Sequence, residues 1–193
     1  MATTSVITDI VLYDERDVSS GNPHNLWDSA AEFAAWAMDV ALLEPGEFPE
    51  EALLVASLSR YVGQVMNGGH WQFAHNTRMD ASLIQRVQRS LEMLSAQDYA
   101  GLFTEFQQIM ASDLELLGKA LSPSWRSPPE AVEALDDRFY ALDLDGLIAR
   151  TAAWLRTLPS FTPLSRAAVA EEKAAIKARN RNFDLRQAAR QAQ

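Results

Sequence analysis

The sequence predicts an all-α protein: a single-domain multi-helix bundle with a short N-terminal extended arm and a protruding C-terminal helix. Two observations carry this. Apolar residues recur at three- and four-residue spacing through most of the 193-residue chain, and no alternating strand pattern follows residue 15. A third sets the helix lengths, because prolines and glycines interrupt the periodic runs at Pro45-Gly46, at Gly68-Gly69 and in "SPSWRSPPE". The division that results is an arm and loop over 1–25, a helical core over 26–160 and a basic, alanine-rich helix over 161–193.

The arm joins a β-branched run, "SVITDIVLY", to the turn-forming "DERDVSSGNPHN". A helix then starts near Asn25, with Leu26, Phe33, Ala37, Val40 and Ala41 on one side. Asp28, Glu32 and Asp39 fall within about 40° of one another on the other side. The next helix runs over 50–66 behind Pro49 and two glutamates, carries Leu53, Leu54, Leu58, Tyr61, Val62 and Val65, and ends at Asn67-Gly68-Gly69. Glycine there supplies a left-handed backbone. A short helix over 70–76 follows, then one capped by Asp80, then a run from Ser95 whose spacing to Asp98 fits an acidic capping box. Beyond the proline-rich break, "AVEALDDRFYALDLDGLIARTAAWLRTLP" is too short to bury a core alone. The last helix starts at Pro163, and Val169, Ile176 and Phe183 recur every seven residues as a thin apolar seam. The seam needs a cover, either the chain's own body or a second subunit in a homodimer.

At 48% hydrophobic and 22% charged residues, the chain has the composition of a folded protein. It contains no cysteine, which excludes thiolate zinc sites, iron–sulfur clusters and cysteine nucleophiles. No basic leader precedes a long apolar run, and no stretch approaches the ~18 apolar residues of a membrane span, so a soluble, cytoplasmic protein without a membrane partner is expected. The net charge of -9 is uneven: residues 1–165 hold 10 Lys/Arg against 23 Asp/Glu, and 166–193 hold 7 against 3. An acidic body repels nucleic acid and suits a basic partner, although acidity also serves solubility. The tail "KARNRNFDLRQAARQ" lacks the aromatic interleaving and charge density of a committed nucleic-acid binder. It can equally fold back on the acidic body, and no tight nucleic-acid binding is expected.

The most specific stretch is "YVGQVMNGGHWQFAHN" over 61–76, and "ALDDRFYAL" follows later with Leu135, Asp136, Phe139 and Tyr140. Together they resemble a bacterial domain-of-unknown-function family whose named member is a DNA-mimic protein. Asn67, Gly68, Gly69, Gln72, Phe73 and Asn76 fit the family pattern, whereas His70 and Ala74 stand where aromatic residues are usual. The resemblance covers roughly 26–158, with the arm and the basic C-terminal helix outside it. It implies an all-α fold and a mimic that occupies a basic, DNA-binding partner.

Read from the residues alone, the motif is a turn: the glycines reverse the chain, Trp71 and Phe73 fill the gap between helices, and the amides of Asn67, Gln72 and Asn76 satisfy turn backbone groups. His70 and His75 lie about 140° apart on a helix, unlike helical metal pairs at i,i+3 or i,i+4, so no metal or cofactor is expected. Either histidine beside Asp136 or Asp137 could serve a small hydrolase or nucleotide-handling enzyme at the turn. The leading expectation is a non-enzymatic acidic binding or regulatory protein that engages its partner through Asp28, Glu32, Asp39, Glu47, Glu50 and Glu51. Asp28 and Glu32 lie about 6 Å apart along a helix axis and Asp39 about 10 Å further on, compatible with a 3.4 Å axial phosphate repeat. A shape-recognising interaction or immunity-type module is the other alternative.

Overall fold

A computed structural model describes residues 5–122 and 127–192; part of the proline-rich break and the start of the arm lie outside them. The described residues are mostly helical. They form β1 (Val11–Asp14), α1 (Glu15–Ser19), α2 (Pro23–Asp39), α3 (Glu50–Thr77), α4 (Ala81–Met93), α5 (Gln97–Ser112), α6 (Leu114–Ala120), α7 (Glu130–Tyr140), α8 (Leu144–Leu155), β2 (Phe161–Leu164), α9 (Arg166–Arg179) and α10 (Phe183–Gln191). Among them no helix is long and apolar enough to cross a membrane. The chain forms two compact units, one of residues 1–56 with 148–193 and one of 57–147. It passes from one to the other within α3 and returns within α8.

The first unit is built on α2. Asn22 caps it by accepting from the His24 N–H at 3.1 Å, and Pro23 occupies the first turn, where its missing N–H costs nothing. Leu26, Trp27, Ala30, Phe33, Ala34 and Ala37 are buried along one face. β1 pairs with β2 in parallel, Val11 opposite Phe161 and Asp14 opposite Leu164, with the Tyr13 and Phe161 rings 4.5 Å apart. This pairing draws the extended arm and the segment after α8 into the same unit. It also corrects the expectation of no strand after residue 15, since a four-residue run holding Pro163 gives no readable alternation.

The C-terminal segment is not one protruding helix over 161–193. It is β2, α9 and α10, broken at Asn180, which leaves helical conformation and is buried. The Asn180 amide donates to the Ala41 carbonyl at 2.8 Å and to that of Leu42 at 3.1 Å, satisfying the chain just after α2. Of the seam residues, Ile176 is fully buried while Val169 and Phe183 are partly covered.

The second unit packs the later part of α3 with α4 to α7. Asp80 caps α4 by accepting from the Leu83 N–H at 2.8 Å, as expected. Ser95, in contrast, has φ 51° and does not cap α5, which starts behind Ala96 without a side-chain cap. Tyr61, Phe73, Phe103, Phe106 and Phe139 are almost wholly buried and form the core of this unit.

Asn180→Ala removes two bonds, one of them to the buried Ala41 carbonyl, and should lower stability by about 1–3 kcal/mol. Thermal unfolding followed by circular dichroism checks this; an unchanged melting temperature would show that the tail is not anchored there.

Candidate functional site

The Asn-Gly-Gly stretch lies inside α3 and breaks it. Gly68 has φ −166° and ψ 30°, and Gly69 has φ 74° and ψ 178°, so the helical hydrogen-bond ladder is interrupted between Asn67 and His70. The two glycines are there for different reasons. Gly68 is extended, and a Cβ on it would collide with the side-chain amide of Gln72. Gly69 is left-handed, and a Cβ on it would collide with the carboxylate of Asp136. Each glycine makes room for a particular polar side chain.

Past Gly69, the His70 backbone N–H donates to Asp136 Oδ1 at 2.8 Å, and the His70 ring Nδ1 lies 2.6 Å from the same oxygen. A carboxylate only accepts, so Nδ1 carries the proton. The other ring nitrogen, Nε2, lies 2.8 Å from the Tyr61 hydroxyl. Burial, followed by the charge of Asp136 and then by Tyr99, pushes the Tyr61 hydroxyl well above its ordinary value, so it keeps its proton and donates to Nε2. The result is a Tyr61–His70–Asp136 chain within one unit, with both ring nitrogens engaged.

This chain has the composition of an acid–base relay but not its accessibility. His70 and Tyr61 are fully buried and Asp136 nearly so. Aromatic rings close around them: Phe106 at 5.0 Å and Phe139 at 5.6 Å from the imidazole, Phe103 at 4.7 Å and Phe73 at 5.2 Å from the Tyr61 ring. Such pairs add about 0.5–1.5 kcal/mol each beyond their burial. An imidazole in that position reaches no external substrate; it pins α7 to the break in α3. Tyr140 adds a second pin, its hydroxyl donating to the Val65 carbonyl at 2.9 Å, one of the carbonyls the break leaves over.

The remaining motif residues behave differently from the sequence expectation. Gln72 and Asn76 donate to Gln64 Oε1 at 3.1 and 2.6 Å, forming an amide cluster on the outer face of α3 rather than satisfying turn backbone groups. Asn67 is exposed. His75 donates from Nδ1 to the Ala120 carbonyl at 3.0 Å. No group of three metal-ligating side chains occurs among the described residues.

The acidic residues sort into two sets. Asp28, Glu32 and Glu50 are exposed. Asp39, also exposed, receives Arg190 at 2.6 Å. Glu51 accepts from the Ser160 hydroxyl, and its charge adds to burial in pushing the Tyr13 hydroxyl far up. Glu47 is buried: its side chain holds Arg186 at 2.6 and 2.9 Å, and its carbonyl accepts from the Ile7 and Thr8 N–H groups. Burial alone would raise the Glu47 carboxyl, but hydrogen bonds from Arg186 and the Glu44 N–H, with the guanidinium charge, hold it below the usual range. Sequence spacing did not reveal Arg186 and Arg190 as partners of Glu47 and Asp39, which stand more than a hundred residues away. A second outward carboxylate stripe, Glu130, Glu133 and Asp137, follows i,i+3,i+7 spacing on α7.

The second unit also holds a mainly apolar groove of about 690 Å³ lined by Met79, Ile84, Met110 and Leu117, with Gln85 and Arg89 among its polar members.

Gly69→Ala should be strongly destabilising, by about 2–4 kcal/mol, because it combines left-handed strain with displacement of a buried carboxylate; Gly68→Ala should cost about 1 kcal/mol, since the Gln72 amide can swing outward. Chemical denaturation of both variants checks the order, and equal losses would contradict it. The Tyr61 hydroxyl, raised in the folded chain, contributes stability that is fully present below pH ~10 and lost as pH rises further. Tyr61→Phe should therefore flatten the alkaline fall in stability; an unaltered slope in a pH-dependent denaturation series would count against the buried hydroxyl.

Comparison with known proteins yields one relationship. No match was found among curated proteins or among solved structures. The sequence pattern of the family described as DMP19-like protein matches residues 46–158, which include the broken helix, the buried Tyr61–His70–Asp136 chain and Tyr140. That stretch is more than half of the chain, and the protein belongs to the DMP19-like protein family.

Proposed function

We propose that the chain is a binding protein rather than a catalyst, and that it presents carboxylates to a basic, DNA-binding partner in competition with DNA. One observation carries this reading: the cluster with catalytic composition is sealed in the core as a pin, while Asp28, Glu32 and Glu50 face outward on a chain of net charge -9. The family relationship supports it, because the named member of the family that the Asn-Gly-Gly motif resembles is a DNA mimic. The mechanism is electrostatic. Carboxylates held on rigid helices offer a cationic groove the charge it meets on a phosphate backbone, without bases to read.

Asp28→Lys with Glu32→Lys should weaken capture of the partner from host lysate by about tenfold or more, and raised salt or excess duplex DNA should release it. Glu133→Lys with Asp137→Lys asks the same of α7, so the pair identifies which stripe bears the contact. A complex indifferent to salt, to DNA and to both reversals contradicts the proposal; if Ile84→Glu then abolished it, shape recognition at the apolar groove would replace charge as the explanation.

A further inference from the structure

We propose that α10 is an internal competitor, holding in cis the acceptors with which the acidic surface receives an arginine-bearing helix of a basic partner. This rests on the reading above that the partner is basic. The attachment of α10 is unusual for a packed helix. It buries none of its own residues, and Leu185 is 73% exposed. Arginines hold it instead.

Arg186 makes two parallel bonds to Glu47, donates to the Leu42 carbonyl at 2.8 Å and lies 3.3 Å from Glu44. Arg190 donates to the Asp39 carboxylate at 2.6 Å and to the Asp39 carbonyl at 2.9 Å. The two arginines stand at i,i+4, on one face of α10. Their acceptors are the carboxylates and carbonyls at the C-terminal end of α2 and just beyond it, where the helix dipole is also negative. The set is therefore a receptor for two guanidinium groups one helical turn apart, a spacing that any basic recognition helix can offer. Arg186 is largely covered while Arg190 is half exposed, so exchange would begin at the Arg190 end. α10 also lies beyond the family-matched stretch, as an added regulator would.

The test uses a fluorescein-labelled peptide of residues 180–192 as the probe and the full chain as receptor. Wild type should bind it weakly, because the site is occupied. Arg186→Ala/Arg190→Ala should bind it about tenfold more tightly, as expected if the tail fills the site about nine-tenths of the time. Adding Asp39→Asn should take back about threefold of the gain, the share of the Arg190 position. Equal affinity of wild type and double variant, or a gain untouched by Asp39→Asn, overturns the proposal. If the double variant does not fold, Arg190→Ala alone decides: about threefold tighter binding supports exchange, and unchanged binding overturns it. The assay contains no DNA-binding partner. A chain that passes it yet fails to compete with DNA keeps the internal receptor and loses the mimic function.

Discussion

The arrangement of the second unit depends on one buried carboxylate. Asp136 Oδ1 accepts both the backbone N–H and the ring N–H of His70, and a carboxylate in this position without those donors would be destabilising by several kcal/mol. The demand propagates along the chain. For the His70 N–H to point at Asp136, α3 must break one residue earlier; for the carboxylate to come that close, the preceding residue must lack a Cβ and accept a left-handed backbone. Gly69 meets both conditions. Gly68 then leaves space for Gln72, and Tyr61 closes the other side of the imidazole. The motif is a set of mutual steric and hydrogen-bond requirements around Asp136.

The first unit uses carboxylates in a comparable way. Glu47 is a buried junction between the arm, which its carbonyl holds, the loop after α2 and α10, and its carboxyl stays ionised because Arg186 and the Glu44 N–H replace its water. Asp28 and Glu32, on α2, are exposed, and the Lys173 ammonium, whose pKa burial lowers, feels the charge of Glu32. A single sequence class, acidic residues around α2, is thus divided between structural junctions and surface charge. That division is what links the fold to a binding function, because it decides which carboxylates a partner can meet directly and which it can reach only by displacing the chain's own arginines.

Much of this was legible in the sequence. Apolar spacing located α2, the first part of α3 and α4, and the Asn-Gly-Gly break and the Asp80 cap were readable because glycine conformation and helix capping are local effects, whereas the run from Ser95 showed no break where Asp113 separates α5 from α6. The pairing of His70 with Asp136 was readable as a chemical option, but not as a contact, since 66 residues separate them. The β1–β2 ladder escaped notice because four residues with a proline carry no period. The docking of α10 was readable only as a tail that can fold back on the acidic body, without its place. The tail's charge was visible, yet its acceptors include the backbone carbonyls of Asp39, Ala41 and Leu42, and carbonyl groups belong to every residue and mark none in a sequence.

Hydrogen exchange of the His70 backbone amide, followed by NMR in deuterated buffer, tests the account most directly. If the Tyr61–His70–Asp136 chain is a sealed pin, this amide exchanges only on unfolding of the unit and ranks with the slowest in the core helices, despite lying at a break in α3. Exchange as fast as that of exposed turn amides would mean that the break opens to water in the native state, placing an accessible imidazole and carboxylate at its centre and returning the turn to contention as a chemical site.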